Sequence, residues 1–74
     1  MSSVVESERY ALKLIYDLGK VKPEDIGTEM GFSTEYATVL CRSLWKKGYI
    51  RGTQITGYEV TTEGEKFLAS TEDK

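Results

Sequence analysis

The stretch STEYATVLCR, residues 33–42, crowds four side chains that can hydrogen-bond, Thr34, Glu35, Tyr36 and Thr38, into the first turns of a helix and follows them with Arg42. Hydroxyls, a carboxylate and a guanidinium on one short helix are the chemistry of recognition. They exchange hydrogen bonds with polar edges, and a guanidinium can grip two acceptors at once. No capping rule asks for Arg42 where it stands.

Catalytic chemistry has much less to work with. The chain contains no histidine, which removes the commonest general base, proton shuttle and metal ligand together. Cys41 is its one cysteine, so no internal disulfide or cysteine metal cluster can form, and it reads as a small apolar residue in a reducing compartment. Asp and Glu number 12, yet an acid–base pair needs a cleft that shifts its pKa values, and so small a domain has little depth for one. The expectation is a protein that is not an enzyme and needs no metal or cofactor.

The elements that position these residues follow from local rules. Ser3-Val-Val-Glu6 forms a possible capping box and Ser7 a second possible cap, after which Ala11, Leu14, Ile15 and Leu18 make an apolar stripe that Gly19 ends. Helix 1 is predicted from about residue 4–8 to 18, with Leu12 and Tyr16 off its stripe. Pro23 suits a first helical turn and Glu24 and Asp25 oppose its positive end, so helix 2 runs from Pro23 to Met30, stopped by Gly31. Ser33 caps helix 3 with a bond from the backbone near Tyr36. That helix spans Thr34 to Lys47, buries Ala37, Leu40, Cys41 and Leu44, and closes on Lys46, Lys47 and Gly48.

Beyond it the period becomes two: a β-hairpin is predicted with its tip near Thr53–Thr56, Tyr58 and Val60 pointing one way and Glu59 the other. Trp45 is expected to pack against the hairpin or helix 1. Thr62-Glu-Gly-Glu65 resembles another capping box, leading to a short helix 4 through Phe67 and Leu68, and residues 70–74 are expected to fray.

With 74 residues, 39% of them hydrophobic and 30% charged, the chain is expected to be one domain, with its core over about residues 8–69. No apolar stretch approaches the roughly 18 residues of a membrane helix, and nothing resembles a signal peptide, so no membrane partner and a cytoplasmic location are expected.

From Ile26 to Leu40 the chain resembles a helix-turn-helix. Gly27 stands at the close crossing and Gly31 at the turn, while Ile26, Met30, Phe32, Ala37 and Leu40 lie in the wedge. With LWKKGYI followed by GYEVTTEGEKFL, the whole resembles the winged-helix type of small MarR-like and ArsR-like transcription regulators. The resemblance implies an α+β, mostly α fold: a three-helix core, a two-stranded hairpin wing over 51–57 and a short C-terminal helix. It also implies sequence-specific binding of double-stranded DNA, with helix 34–47 in the major groove.

On that reading Thr34, Glu35, Tyr36, Thr38, Val39, Arg42 and Lys46 are the helix contacts, and Arg51, Thr53 and Gln54 are wing contacts, with Thr56 beside them. Arg42 is suited to a guanine edge or a phosphate, Glu35 to a cytosine amine, and Val39 or the Tyr36 ring to a thymine methyl. Tyr36 packing on the helix 2 turn is the competing reading. A homodimer through helix 1 (Leu12, Tyr16) or through the C-terminal helix would supply a second half-site.

Charge opposes a strong DNA reading. The net charge is −2 and the pI near 5.1, whereas nucleic-acid affinity rests largely on neutralising phosphates. Residues 33–58 nonetheless hold Arg42, Lys46, Lys47 and Arg51 against Glu35, a balance of +3 that leaves −5 elsewhere. A winged helix used for protein–protein contact within a larger assembly is the alternative that the acidic balance favours.

Overall fold

Four helices and one hairpin order the chain: α1 over Glu6–Leu18, α2 over Pro23–Met30, α3 over Thr34–Lys46, β1 over Ile50–Thr53, β2 over Gly57–Val60 and α4 over Thr62–Glu72. The computed structural model describes residues 6–72, with side chains for residues 6–70. The fold is α+β and mostly α. The possible capping box at Ser3 lies outside the described residues, as do residues 73 and 74 of the predicted frayed tail.

Helix α2 starts where Pro23 can sit at no cost, and the Asp25 carboxylate accepts from the Lys22 backbone N–H at 3.2 Å. It ends at Gly31, whose φ of 74° is the left-handed conformation that a residue without Cβ adopts freely. Ser33 then caps α3, its hydroxyl accepting from the Tyr36 N–H at 3.1 Å. The two helices cross at Gly27, where an added Cβ would stand 2.8 Å from the Phe32 carbonyl oxygen. That same turn is closed by a bond from Phe32 N–H to Gly27 O at 2.8 Å.

Ala11, Leu12 and Ile15 of α1, Ile26 of α2, and Ala37, Leu40, Cys41 and Leu44 of α3 are buried together with Val21, Ile50 and Leu68. The hairpin is antiparallel, pairing Ile50 with Val60 and Thr53 with Gly57. Val21 exchanges two backbone bonds with Tyr58, at 3.0 and 2.6 Å, and so fastens the α1–α2 connection to the outer edge of β2. Tyr49 and Phe67 stack at 4.9 Å and tie α4 to the base of the hairpin.

Several sequence expectations are corrected here. The buried stripe of α1 is Glu8, Ala11, Leu12 and Ile15, while Leu14 is half-buried and Leu18 exposed. The stripe has rotated because Val21, not Leu18, fills the core at that end. Leu12 is therefore fully buried and cannot belong to a homodimer face, although Tyr16 stays exposed. Ser7 is inside α1 rather than capping it, and its hydroxyl meets the Tyr36 hydroxyl at 3.3 Å. Phe32 of the expected wedge is at the surface.

Two element ends also differ. Helix α3 stops at Lys46, with Lys47 as its C-cap. For α4 the cap is Thr61, not Thr62: its hydroxyl accepts from Gly64 N–H at 3.2 Å and donates to Gly48 O at 2.6 Å, fixing the helix start to the end of α3. Helix α4 continues to Glu72, through part of the segment expected to fray.

Candidate nucleic-acid interface

At about 100° per residue, Thr34, Thr38, Arg42, Trp45 and Lys46 fall on one side of α3, while Ala37, Leu40, Cys41 and Leu44 fall on the other. The burial agrees: the second set is in the core, and Thr34, Arg42, Trp45 and Lys46 are exposed with Thr38 half-buried. The hairpin stands beside this outer side. Between them lies a groove of about 460 Å³, formed by Thr38, Arg42, Trp45 and Lys46 of α3 and by Gly52, Thr53, Gln54 and Tyr58 of the hairpin. A smaller hollow of about 230 Å³ continues toward the start of α2, where Thr34, Thr38, Gln54 and Ile55 meet Lys22, Pro23 and Glu24.

Five of the predicted contacts, Thr38, Arg42, Lys46, Thr53 and Gln54, thus share one groove, and Thr34 joins Thr38 and Gln54 in the second. Glu35 and Val39 are exposed but line neither. Tyr36 sits apart. Its ring meets Phe32 edge-on at 4.9 Å and its hydroxyl reaches Ser7, so packing against the α2–α3 turn is its observed role.

Hydrogen bonds decide what several of these side chains have left to offer. Thr38 donates its hydroxyl to Thr34 O at 2.8 Å, so its oxygen is left to accept rather than donate. Thr53 is committed to the hairpin tip. Its oxygen accepts from Ile55 N–H at 3.2 Å and Thr56 N–H at 3.0 Å, and the two threonine hydroxyls lie 3.0 Å apart. A tip bound up this way is a stiff turn, and it holds Ile55 outward at 80% exposure.

The four basic residues divide evenly. Arg51 pairs with Glu59 directly across the hairpin, Nε to Oε2 at 2.9 Å, and lines neither groove. Lys47 turns to α1, its Nζ lying 3.4 Å from Glu8 Oε1 and 2.9 Å from Ser43 Oγ. Glu8 is 9% exposed, and a carboxylate so covered needs a cation close by. Arg42 and Lys46 enter no salt bridge among the described residues and both line the larger groove. Of the four positive charges in residues 33–58, only those of Arg42 and Lys46 are therefore delivered at the groove.

Trp45 corrects the sequence expectation most clearly, being 53% exposed and part of the groove rather than packed away. Its position on α3, seven residues after Thr38 and so about two turns along the same side, was a signal that could have placed it there. Ile55 was also missed, since an apolar residue in a hairpin tip carries no motif. Among the described residues no group of His, Cys, Asp and Glu is arranged to hold a metal ion, and no helix is long and apolar enough to cross a membrane. Neither a protein-family model nor any curated protein matches the chain.

Proposed function

We propose that the chain is a winged-helix domain that binds double-stranded DNA and acts as a small transcription regulator by occupying an operator. Helix α3 is the element for the major groove and the hairpin is the wing. The observation that carries this reading is the meeting of Thr38, Arg42 and Lys46 with Thr53 and Gln54 in one groove, with both cations outside any ion pair among the described residues. A major groove about 12 Å wide admits a helix whose outward residues are short or hydrogen-bonding, as Thr34, Glu35, Thr38 and Val39 are. Two cations in the larger groove per copy make a modest phosphate count, so the proposal includes a homodimer on adjacent half-sites, through Tyr16 or α4 and without Leu12.

Anisotropy titration of a labelled duplex between about 50 and 200 mM salt tests it. Affinity should fall with salt, with a log–log slope of roughly 2 per copy, and Arg42→Ala should weaken binding and reduce the slope by about 1. A chain that ignores duplex at the lowest salt sinks the proposal. It then leaves the protein-contact module, which the net charge of −2 and the exposure of Val39 and Ile55 favour.

A further inference from the structure

Trp45 is the chain's one tryptophan, and the fold leaves about half of it in water. A tryptophan side chain carries a large apolar surface that a hairpin beside it would ordinarily cover. Here the hairpin stands off across a groove of about 460 Å³, within the roughly 300–1,000 Å³ range of sites that take small-molecule-sized groups. Arg42 and Lys46 flank the indole on its own helix, and Gln54 and Thr53 face it.

The surroundings choose the occupant. An apolar peptide segment laid on this indole would bury two cations with nothing opposite them, which is costly. A nucleotide suits both halves: its base offers an aromatic face to the indole and its phosphate an anion to Arg42 and Lys46. Intact duplex offers an indole little, because its bases are stacked on each other and only their edges reach the grooves. We propose that Trp45 is a stacking platform for an unpaired base, so that the groove takes single-stranded DNA and favours a duplex bearing a single-stranded tail over a blunt one. This rests on reading the α3–hairpin surface as a nucleic-acid interface, and it adds a substrate class that the operator reading does not require.

The test titrates the full chain with a blunt duplex, the same duplex carrying an oligothymidine tail, and oligothymidine alone, reading anisotropy and intrinsic fluorescence. With one tryptophan, indole emission excited selectively over tyrosine reports this groove alone. The tail should tighten binding roughly tenfold, the size of one good base–aromatic stack, and quench Trp45. Trp45→Ala should abolish the gain, read as the ratio of tailed to blunt affinity within the variant, and Trp45→Phe should keep part of it. Circular dichroism checks the fold of both variants, and if the alanine variant is unfolded, wild-type quenching and the phenylalanine variant decide. Equal binding of tailed and blunt duplex by the wild type, or a tail gain that survives in a folded Trp45→Ala, overturns the inference and leaves the duplex reading intact. Failure to bind any of the three at low salt removes both.

Discussion

The two sides of α3 are built differently. On the inner side Ala37, Leu40, Cys41 and Leu44 lie against α1, α2 and the hairpin base, all buried. On the outer side Arg42, Trp45 and Lys46 hold no salt bridge and no core position among the described residues, and Thr38 bonds its own helix. A helix in a domain this small needs its inner side to fold, since most helical stability in proteins comes from packing an apolar face. Nothing in folding asks for an arginine, a tryptophan and a lysine together on the other. The two sets share no residue, so stability and binding should be separable by mutation.

Leu44→Ala should break the inner side hardest. Leu44 is fully buried, and a leucine-to-alanine change at such a site costs about 2–5 kcal/mol, a large part of what a small domain has. Urea unfolding should show a midpoint close to zero denaturant, and a loss under about 1 kcal/mol would mean the core is not centred on α3.

The buried thiol sharpens the contrast through pH. Removal from water pushes Cys41 up from 9.0 to about 11, because burial disfavours the thiolate. A raised folded-state pKa contributes stability that is complete below about pH 9 and is lost as pH rises through about 11. Burial also raises Tyr58, so the wild-type decline has two sources of the same sign. Stability measured from pH 8 to 11 should decline less steeply in Cys41→Ala than in wild type, by about 2 kcal/mol over the range. Equal slopes would place Cys41 in contact with solvent.

Gly27→Ala tests the crossing that aims the outer side. Alanine gains about 1 kcal/mol of helix propensity over glycine, but its methyl would press on the Phe32 carbonyl at 2.8 Å, in a residue whose own N–H is held by a bond to the Gly27 carbonyl. Overpacking of this kind costs about 1–3 kcal/mol, so the balance should be a net loss of roughly 1 kcal/mol in urea unfolding. A stabilised variant would show that the crossing opens easily.

What could be read beforehand tracks how local the cause is. Pro23, Gly31 and Ser33 act on backbone groups within a few residues of themselves, and α2 and the start of α3 follow directly from them. The side of α1 that is buried was not legible. Leu12, Leu14 and Leu18 support two overlapping stripes, and the choice falls to Val21, which turns back to bond Tyr58 across the fold. Glu8 is equally non-local, since its cation, Lys47, arrives from α3. At the candidate interface Thr38, Arg42 and Lys46 were readable by elimination from the core pattern, whereas Trp45 was not. The role of Arg51 was not, since it depends on Glu59, which the hairpin's register brings opposite, and Thr53 is taken up by the tip's own hydrogen bonds.

The smallest expected effect on stability is the most informative about the comparison. Arg42→Ala removes a residue with no ion pair among the described residues and no core position, and arginine and alanine differ little in helix propensity. Surface changes of this kind fall within about 0.5 kcal/mol, so the urea midpoint should match wild type. Meanwhile the duplex affinity and its salt dependence should both drop, as they do when one phosphate contact is lost. The pairing of results carries the weight. Unchanged stability with weakened binding separates the two sides of α3. Lost stability would mean that Arg42 supports the hairpin through Tyr58, which it neighbours in the groove, and the outer side would then belong to the fold after all.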